Sequence, residues 1–400
     1  MTKKRIFISM HYMELGGAEM SLIGLLQAMD YSRYEVDLFL HSHQGELMQF
    51  IPKEVNLLPE NRKYALVEKP MVEVLKAGCL RLLWARLKAK SQYKKYIKKK
   101  GIAQSAAIYQ YIGDTVTPVL PSLHDFGVYD LAISFLNPHN IVRDKVKAKK
   151  KACWIHTDYT RIDINVEKEL PVWSSYDYVV SISPEVSKSF TNVFPSLGTK
   201  IIEIENILSP DFVRKRATEF DVHKEMPKEQ GIINILSVGR FSDAKNYDNL
   251  PDICRRIHEQ GASVRWYLIG YGSDEGIIRS KISEAGMENY VIILGKRDNP
   301  YPYMKACDIY AQPSRYEGKS VTVREAQMLC KPVVVTNYPT AKSQIRHGVD
   351  GVIVPLNNED CSKGMADFIR DRELQEDIIK YLQNHDFGNM SEAKKIDNLI

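Results

Sequence analysis

Two separate series of short apolar runs, each run followed by a helical pattern, constrain this chain more than any other feature. In the first series, strand-like runs fall at Arg5–Met10, Glu35–Leu40, Tyr129–Phe135, Ala152–His156, Tyr178–Ser183 and Ile201–Glu205. Helical periodicity fills the gaps, as at Ala18–Met29 and Pro184–Val193, where Pro184 suits a first helical position. The second series runs Asn234–Val238, Val264–Ile269, Val291–Leu294, Ile309–Ala311, Val333–Thr336 and Val352–Val354. Such alternation predicts parallel sheets covered by helices on both faces. Glycines directly after three of the runs (Gly239, Gly270, Gly295) mark where strands pass into loops at a sheet's carboxyl edge. The expected fold class is therefore α/β, with two Rossmann-like, doubly wound domains facing a cleft. The expected boundaries are 1–208 for the first domain, with an insertion at about 59–125, and 232–385 for the second. The polar stretch 209–231 reads as a linker, and a helix is expected within 386–400.

Composition narrows the setting. A length of 400 residues, 44% of them apolar, can fill more than one core. The six cysteines are scattered without a C-x-x-C pair, which argues against a disulfide framework or a zinc site and for a reducing cytosol. The N-terminal apolar run stops at His11, too short for a signal peptide, and reads as a first strand. No run of 18 apolar residues is present, so a soluble chain is expected. The net charge of +5 is local: Lys76 to Lys100 holds ten Lys or Arg and no acid, leaving 45 basic against 50 acidic residues elsewhere. Leu80, Leu83, Trp84, Leu87, Tyr96 and Ile97 interleave those cations. Peripheral contact with an anionic membrane through residues 76–100 is one reading, and a helix packed on the core with a solvated cationic face is the other. The aromatic residues form no repeated stacking platform, so nucleic acid is not an expected partner.

The residues able to carry chemistry concentrate between Asp308 and Pro332. A strand ends at Pro313, a loop carries Glu317, Gly318, Lys319 and Ser320, and a helix begins near Val321 and holds Glu325. The free N–H groups of a first helical turn favour an anion. Glu317 and Glu325, eight positions apart, can face one cleft while Glu317 remains in the loop. Carboxylates beside an anion site suit a ligand with both hydroxyls and phosphates, such as a nucleotide sugar. An ordinary surface loop with a solvated Glu is the plain alternative. Upstream, S-V-G-R-F-S-D-A-K-N sets Arg240 and Lys245 after the first strand of the second domain. There a guanidinium and an ammonium can neutralise a diphosphate leaving group, or stand as two solvated cations.

These motifs resemble the retaining glycosyltransferases of family 4, which have the two-domain GT-B fold and a signature of Glu, seven residues, Glu. The likeness covers nearly the whole chain and is sharpest over residues 234–355. It implies that Arg240 and Lys245 bind the donor diphosphate, that Glu317 meets the sugar hydroxyls and Glu325 the ribose, and that the amides of Gly318, Lys319 and Ser320 line phosphate and sugar. It likewise assigns Gly16 and Gly17 of H-Y-M-E-L-G-G-A-E to donor phosphate and acceptor, His156 to the donor sugar, and Arg297 to the nucleobase region. Glu19 and Asp158 are acceptor candidates, and the C-terminal helix is expected to return to the first domain. Lys319, where many relatives have a bulky apolar residue, leaves the donor open. Ser343–Gln344, near where many carry a further glutamate, is a second departure. With no D-x-D-type motif, no metal ligand is assigned and metal-independent activity is expected.

The resemblance thus implies a cytoplasmic enzyme of the inner membrane face. It would move a hexosyl or N-acetylhexosaminyl unit from a nucleotide sugar, most simply a UDP-sugar, to a lipid-linked capsular, exopolysaccharide or teichoic-acid acceptor. Two alternatives stay open: a sugar phosphorylase or epimerase on the same fold, and a non-catalytic nucleotide-sugar-binding subunit.

Overall fold

The computed structural model describes residues 2–14 and 16–400, with Arg161 described by its backbone alone; Leu15 of the H-Y-M-E-L-G-G-A-E motif lies outside the described residues. The chain divides into two compact units, one formed by residues up to Ile207 together with Met390–Ile400, the other by Leu208–Asn389.

The first unit holds seven strands: β1 Lys4–Met10, β2 Tyr34–Leu40, β3 Asn56–Leu57, β4 Val128–Ser134, β5 Lys147–Ile155, β6 Tyr178–Ser181 and β7 Ile201–Glu203. They form a parallel sheet in the order β3-β2-β1-β4-β5-β6-β7. Its central strands begin polar or exposed and bury mainly apolar side chains (Ile6, Phe7, Ile8, Met10, Leu131, Ala132 and Ile133) further along, as expected where helices cover both faces. The two-residue β3 was absent from the expected series; it is too short to leave a period-2 signal.

The segment 59–125 connects β3 to β4 through helices Arg62–Ala65, Met71–Lys76, Leu80–Lys100 and Ala107–Val116. The long basic helix buries Leu82, Ala85 and Ala89, one stripe at helical spacing, while Leu80, Trp84 and Leu87 lie on the opposite side, 55%, 70% and 40% exposed. Further along that outer side stand the exposed Lys94, Lys95 and Lys98. Met390–Leu399 lays Ala393, Ile396 and Leu399 into the same core as β1, and Arg33 Nη1 pairs with Asp397 Oδ2 at 2.8 Å.

The second unit holds β8 Ile233–Val238, β9 Val264–Ile269, β10 Val291–Gly295, β11 Ile309–Gln312, β12 Val333–Thr336 and β13 Val352–Val354. They too are parallel, in the order β10-β9-β8-β11-β12-β13. Residues 209–231 are not a linker. Ser209 caps a helix, Pro210–Arg216, that packs on the helices Tyr301–Ala306 and Val321–Met328, and Val213, Arg216, Ala217, Val222 and Met226 are buried. The backbone carbonyl of Arg216 accepts a hydrogen bond from Asn299 Nδ2 at 2.8 Å. The charged residues between those buried positions disguise a covering layer as a loop. Among the described residues, no helix is long and apolar enough to cross a membrane.

Candidate active site

The chain order of the second sheet reverses at β8, which lies between β9 and β11. Loops from the carboxyl ends of β8 and β11 therefore flank the switch point, where open α/β sheets take their ligands. The β8 loop carries Arg240 and Lys245; the β11 loop carries Glu317 to Ser320. The two loops are bonded to each other. Asn246 Nδ2 donates to the Pro313 carbonyl at 2.9 Å, and the Arg315 amide donates to the Ala244 carbonyl at 2.8 Å. The Arg315 guanidinium spans both oxygens of Asp248 at 2.9 and 2.7 Å. Asn246 ends the turn Asp243–Lys245 at φ 60°, a left-handed conformation that Asn tolerates better than most residues. The β9 loop presses on the same place, since a Cβ on Gly270 would fall 1.9 Å from the Gly239 carbonyl oxygen.

Inside this frame Glu317 is held by three donors. Its Oε1 accepts from Lys245 Nζ at 2.6 Å, Ser314 Oγ at 2.6 Å and Gln312 Nε2 at 3.1 Å. Gln312 is fully buried, and its Oε1 accepts from Tyr310 at 2.8 Å and from Thr322 Oγ1 at 3.1 Å. Thr340 Oγ1 fixes the Glu317 carbonyl at 3.1 Å. The structure thus brings two candidates together as a partly buried ion pair, a carboxylate and an ammonium at one sheet edge. Arg240 is exposed and makes no side-chain hydrogen bond or ion pair among the described residues.

Glu325 sits apart from that pair. It is 2% exposed on the helix Val321–Met328, and its Oε1 accepts from the Tyr301 hydroxyl at 2.7 Å. Burial pushes its carboxyl up to about 7, while the Tyr301 bond and the nearby Arg216 charge pull the other way. The expectation that the Ser320 amide is open to an anion is corrected. That N–H donates to Gln344 Oε1 at 3.1 Å, and Gln344 Nε2 donates to the Ser320 carbonyl, so a buried amide clamps the start of the helix. Gly318 and Lys319 are half-buried in the loop before it. Arg297 is not drawn into the cluster either; it pairs with Glu225 and donates to the Tyr303 hydroxyl at 3.0 Å.

In the first unit, Gly16 precedes the helix Gly17–Ala28, and Glu19 folds back over it. A Cβ on Gly16 would lie 2.2 Å from Glu19 Oε2, so the carboxylate occupies the first turn and is buried there. An acid is favourable at that helix end. Asp158, also buried, accepts from the Thr160 amide at 2.9 Å and from its hydroxyl at 2.6 Å, capping the turn Tyr159–Arg161. His156 follows β5, and its Nε2 donates to the Phe135 carbonyl at 3.0 Å, with the Phe135 ring 4.9 Å away. Desolvation pushes its pKa down to about 4, so the imidazole is neutral and Nδ1 is an acceptor.

The residues that sequence reasoning missed are polar and mostly buried: Gln312, Ser314, Tyr301, Thr322 and Thr340; Gln344 was noted only as a departure from the family pattern, not as a clamp. The available sign was a polar residue ending an apolar strand, as Gln312 ends I-Y-A-Q.

Residues 219–385 match the family described as Glycosyl transferases group 1. Amylovoran biosynthesis glycosyltransferase AmsK of Erwinia amylovora is 28% identical over 131 residues, 31% of this chain and 32% of that protein. A Campylobacter jejuni N-acetylgalactosamine-N,N'-diacetylbacillosaminyl-diphospho-undecaprenol 4-alpha-N-acetylgalactosaminyltransferase is 29% identical over 144 residues, 35% of this chain and 38% of that protein. The matched stretches thus span about a third of the length of these relatives. Across the whole chain, the fold is similar to the crystal structure of Anabaena Alr3699/HepE in complex with UDP and glucose. The TM-score is 0.68 at 16% identity, covering 99% of this chain and 98% of that one. Two parallel-sheet, Rossmann-like units with these neighbours make the architecture GT-B.

Proposed function

We propose that the chain is a retaining glycosyltransferase that moves a sugar from a nucleotide-sugar donor, a UDP-sugar, onto a lipid-linked surface glycan. One observation carries this reading: Lys245 and Glu317 meet at the switch point of the second sheet, with Arg240, on the same loop as Lys245, making no side-chain hydrogen bond or ion pair among the described residues. Arg240 and Lys245 take the diphosphate, whose charge grows as the sugar departs, so fixed cations stabilise the transition state more than the ground state. Glu317 exchanges Lys245 for the sugar's hydroxyls once phosphate engages the ammonium. Glu325 accepts from the ribose, and Gly318 and Lys319 border phosphate and sugar. His156, neutral, accepts from a sugar hydroxyl. Gly16 and Gly17 offer backbone to phosphate or acceptor, while Glu19 and Asp158 shape the acceptor loops from within. No carboxylate is assigned as a nucleophile; the donor phosphate takes the acceptor's proton on the face from which the leaving group departs.

The solved neighbour with UDP and glucose supports the donor class, and the undecaprenol-linked acceptor in the Campylobacter relative's name supports a lipid-linked one. The helix Leu80–Lys100 is assigned to an anionic membrane surface. Its inner stripe packs on the core, and its outer stripe passes from Leu80, Trp84 and Leu87 to lysines.

A thermal-shift screen of UDP-, GDP- and ADP-sugars tests the donor, with a UDP-sugar expected to raise the melting temperature most. Transfer is expected to continue in EDTA, and NMR of the product is expected to show the donor's anomeric configuration. An inverted anomer, or no transfer without a second protein, would overturn the proposal.

A further inference from the structure

His11 and His41 stand directly after neighbouring parallel strands, where Met10 pairs with Leu40 in register. The Ser42 amide donates to the His11 carbonyl at 2.9 Å, so the two loops run on together. The rings stack with centroids 4.7 Å apart. From a third segment, Glu68 Oε1 reaches His11 Nδ1 at 2.8 Å. His11 Nε2 and His41 Nδ1 are both buried and have no hydrogen-bond partner. His41 is 5% exposed, between the rings of Phe39 and Tyr64 at 6.0 and 5.8 Å, with only a 3.5 Å approach of its Nε2 to Ser9 Oγ. Buried ring nitrogens without a partner are uncommon, and the two rings that carry them here are stacked on each other.

We propose that His11, His41 and Glu68 form a binding site for a divalent transition-metal ion of the zinc class. Each offers one ligand atom, and the three atoms lie within 4.8 Å of one another. A tetrahedral zinc set with bonds of about 2.0–2.1 Å has edges of roughly 3.3 Å, so small ring rotations close the site. Two imidazoles and a carboxylate fill three positions and leave the fourth to water. Arg86 and Lys69 also bear on Glu68. Arg86 donates to the carbonyls of Leu66 and Lys69, and Lys69 bonds Gln44 at 2.9 Å, which leaves the carboxylate to the histidines. The ion has no part in the transfer step proposed above; its place is to pin the segment around Glu68 to the sheet edge.

The test uses the full chain, stripped with chelator and without donor or acceptor, so its outcome is independent of the glycosyltransferase reading. Titration with Zn²⁺ by calorimetry is expected to show one equivalent bound. Co²⁺ is expected to give the visible spectrum of a nitrogen- and oxygen-ligated tetrahedral ion. Glu68→Gln, at an exposed position, is expected to weaken Zn²⁺ about tenfold or more with an unchanged circular dichroism spectrum, and His11→Gln to weaken it further. Absence of binding, binding that both variants leave intact, or a cobalt–thiolate band from one of the cysteines would overturn the proposal.

Discussion

Lys245 Nζ lies 2.6 Å from Glu317 Oε1 across 72 positions of sequence, and both side chains are mostly shielded from water. In the proposed donor complex the pair would part, Lys245 turning to phosphate and Glu317 to the sugar. Removing one partner strands the other at the sheet edge. A double-mutant cycle with Lys245→Ala and Glu317→Ala in urea unfolding is expected to show coupling of about 1–3 kcal/mol, each single change costing more than its share of the double. Additive effects would mean the contact has no energetic content. For the activity, Glu317→Gln is expected to lower kcat by about a hundredfold or more, as for other lost transition-state contacts.

Glu325 predicts a pH dependence of defined sign. Its folded carboxyl is raised from 4.5 to about 7 by burial, so the folded state binds its proton more tightly than the unfolded chain. The stability it contributes is complete below about 4.5 and disappears as pH rises toward 7. His156 acts oppositely: lowered from 6.5 to about 4, it contributes stability above 6.5 that is lost as pH falls through 4. Comparing Glu325→Gln with the parent isolates the first effect. Their stability difference should change between pH 4.5 and 7 and nowhere else; a constant difference would refute the assignment.

Tyr301→Phe removes the hydroxyl that donates to Glu325 and leaves the carboxyl buried. Chemical unfolding is expected to register a loss of about 1–3 kcal/mol. The donor KM should also move in the same variant, because the ionised form of Glu325 loses a stabilising bond. Unchanged stability would show that the hydroxyl contact is not formed in solution.

The Gln344 clamp makes a prediction at the other end of the same helix. Gln344→Glu keeps an acceptor for the Ser320 amide but loses the donor to its carbonyl, and sets a buried carboxylate against it. Thermal unfolding should fall by several degrees, and amide exchange at residues 318–322 should accelerate. Wild-type exchange in that segment would remove the clamp from the account.

On the basic helix, Trp84→Ala and Leu80→Ala change residues that are 70% and 55% exposed, so stability should stay within about 0.5 kcal/mol. Co-sedimentation with anionic vesicles should weaken severalfold, and binding by the parent should decline as salt rises. Vesicle binding indifferent to both variants would return this helix to a purely structural role.

Much of the fold was legible because the strands are short apolar runs, several in the second unit closed by glycine or proline, and their ends were read to within a few residues. Val264–Ile269, Val333–Thr336 and Val352–Val354 coincide with the strands found. The two-residue β3 and the helix Pro210–Arg216 were not legible, one for want of length, the other because charged residues interrupt its apolar spacing. Within the site, the candidates themselves could be named, but their pairing could not. A carboxylate and a lysine on separate loops carry no mark of one another, and Gln312 or Gln344 reads as an interruption until the structure shows both ends of each amide engaged. The trio of His11, His41 and Glu68 was invisible for the same reason: three segments supply it, with no spacing to recognise.

The second unit interrupts the first, since Met390–Leu399 belongs to the core built on β1. During synthesis the earlier sheet must therefore wait, its floor open where Ile396 and Leu399 will lie, until all of the intervening unit has left the ribosome. The first unit's core can be completed only after the second unit has been made.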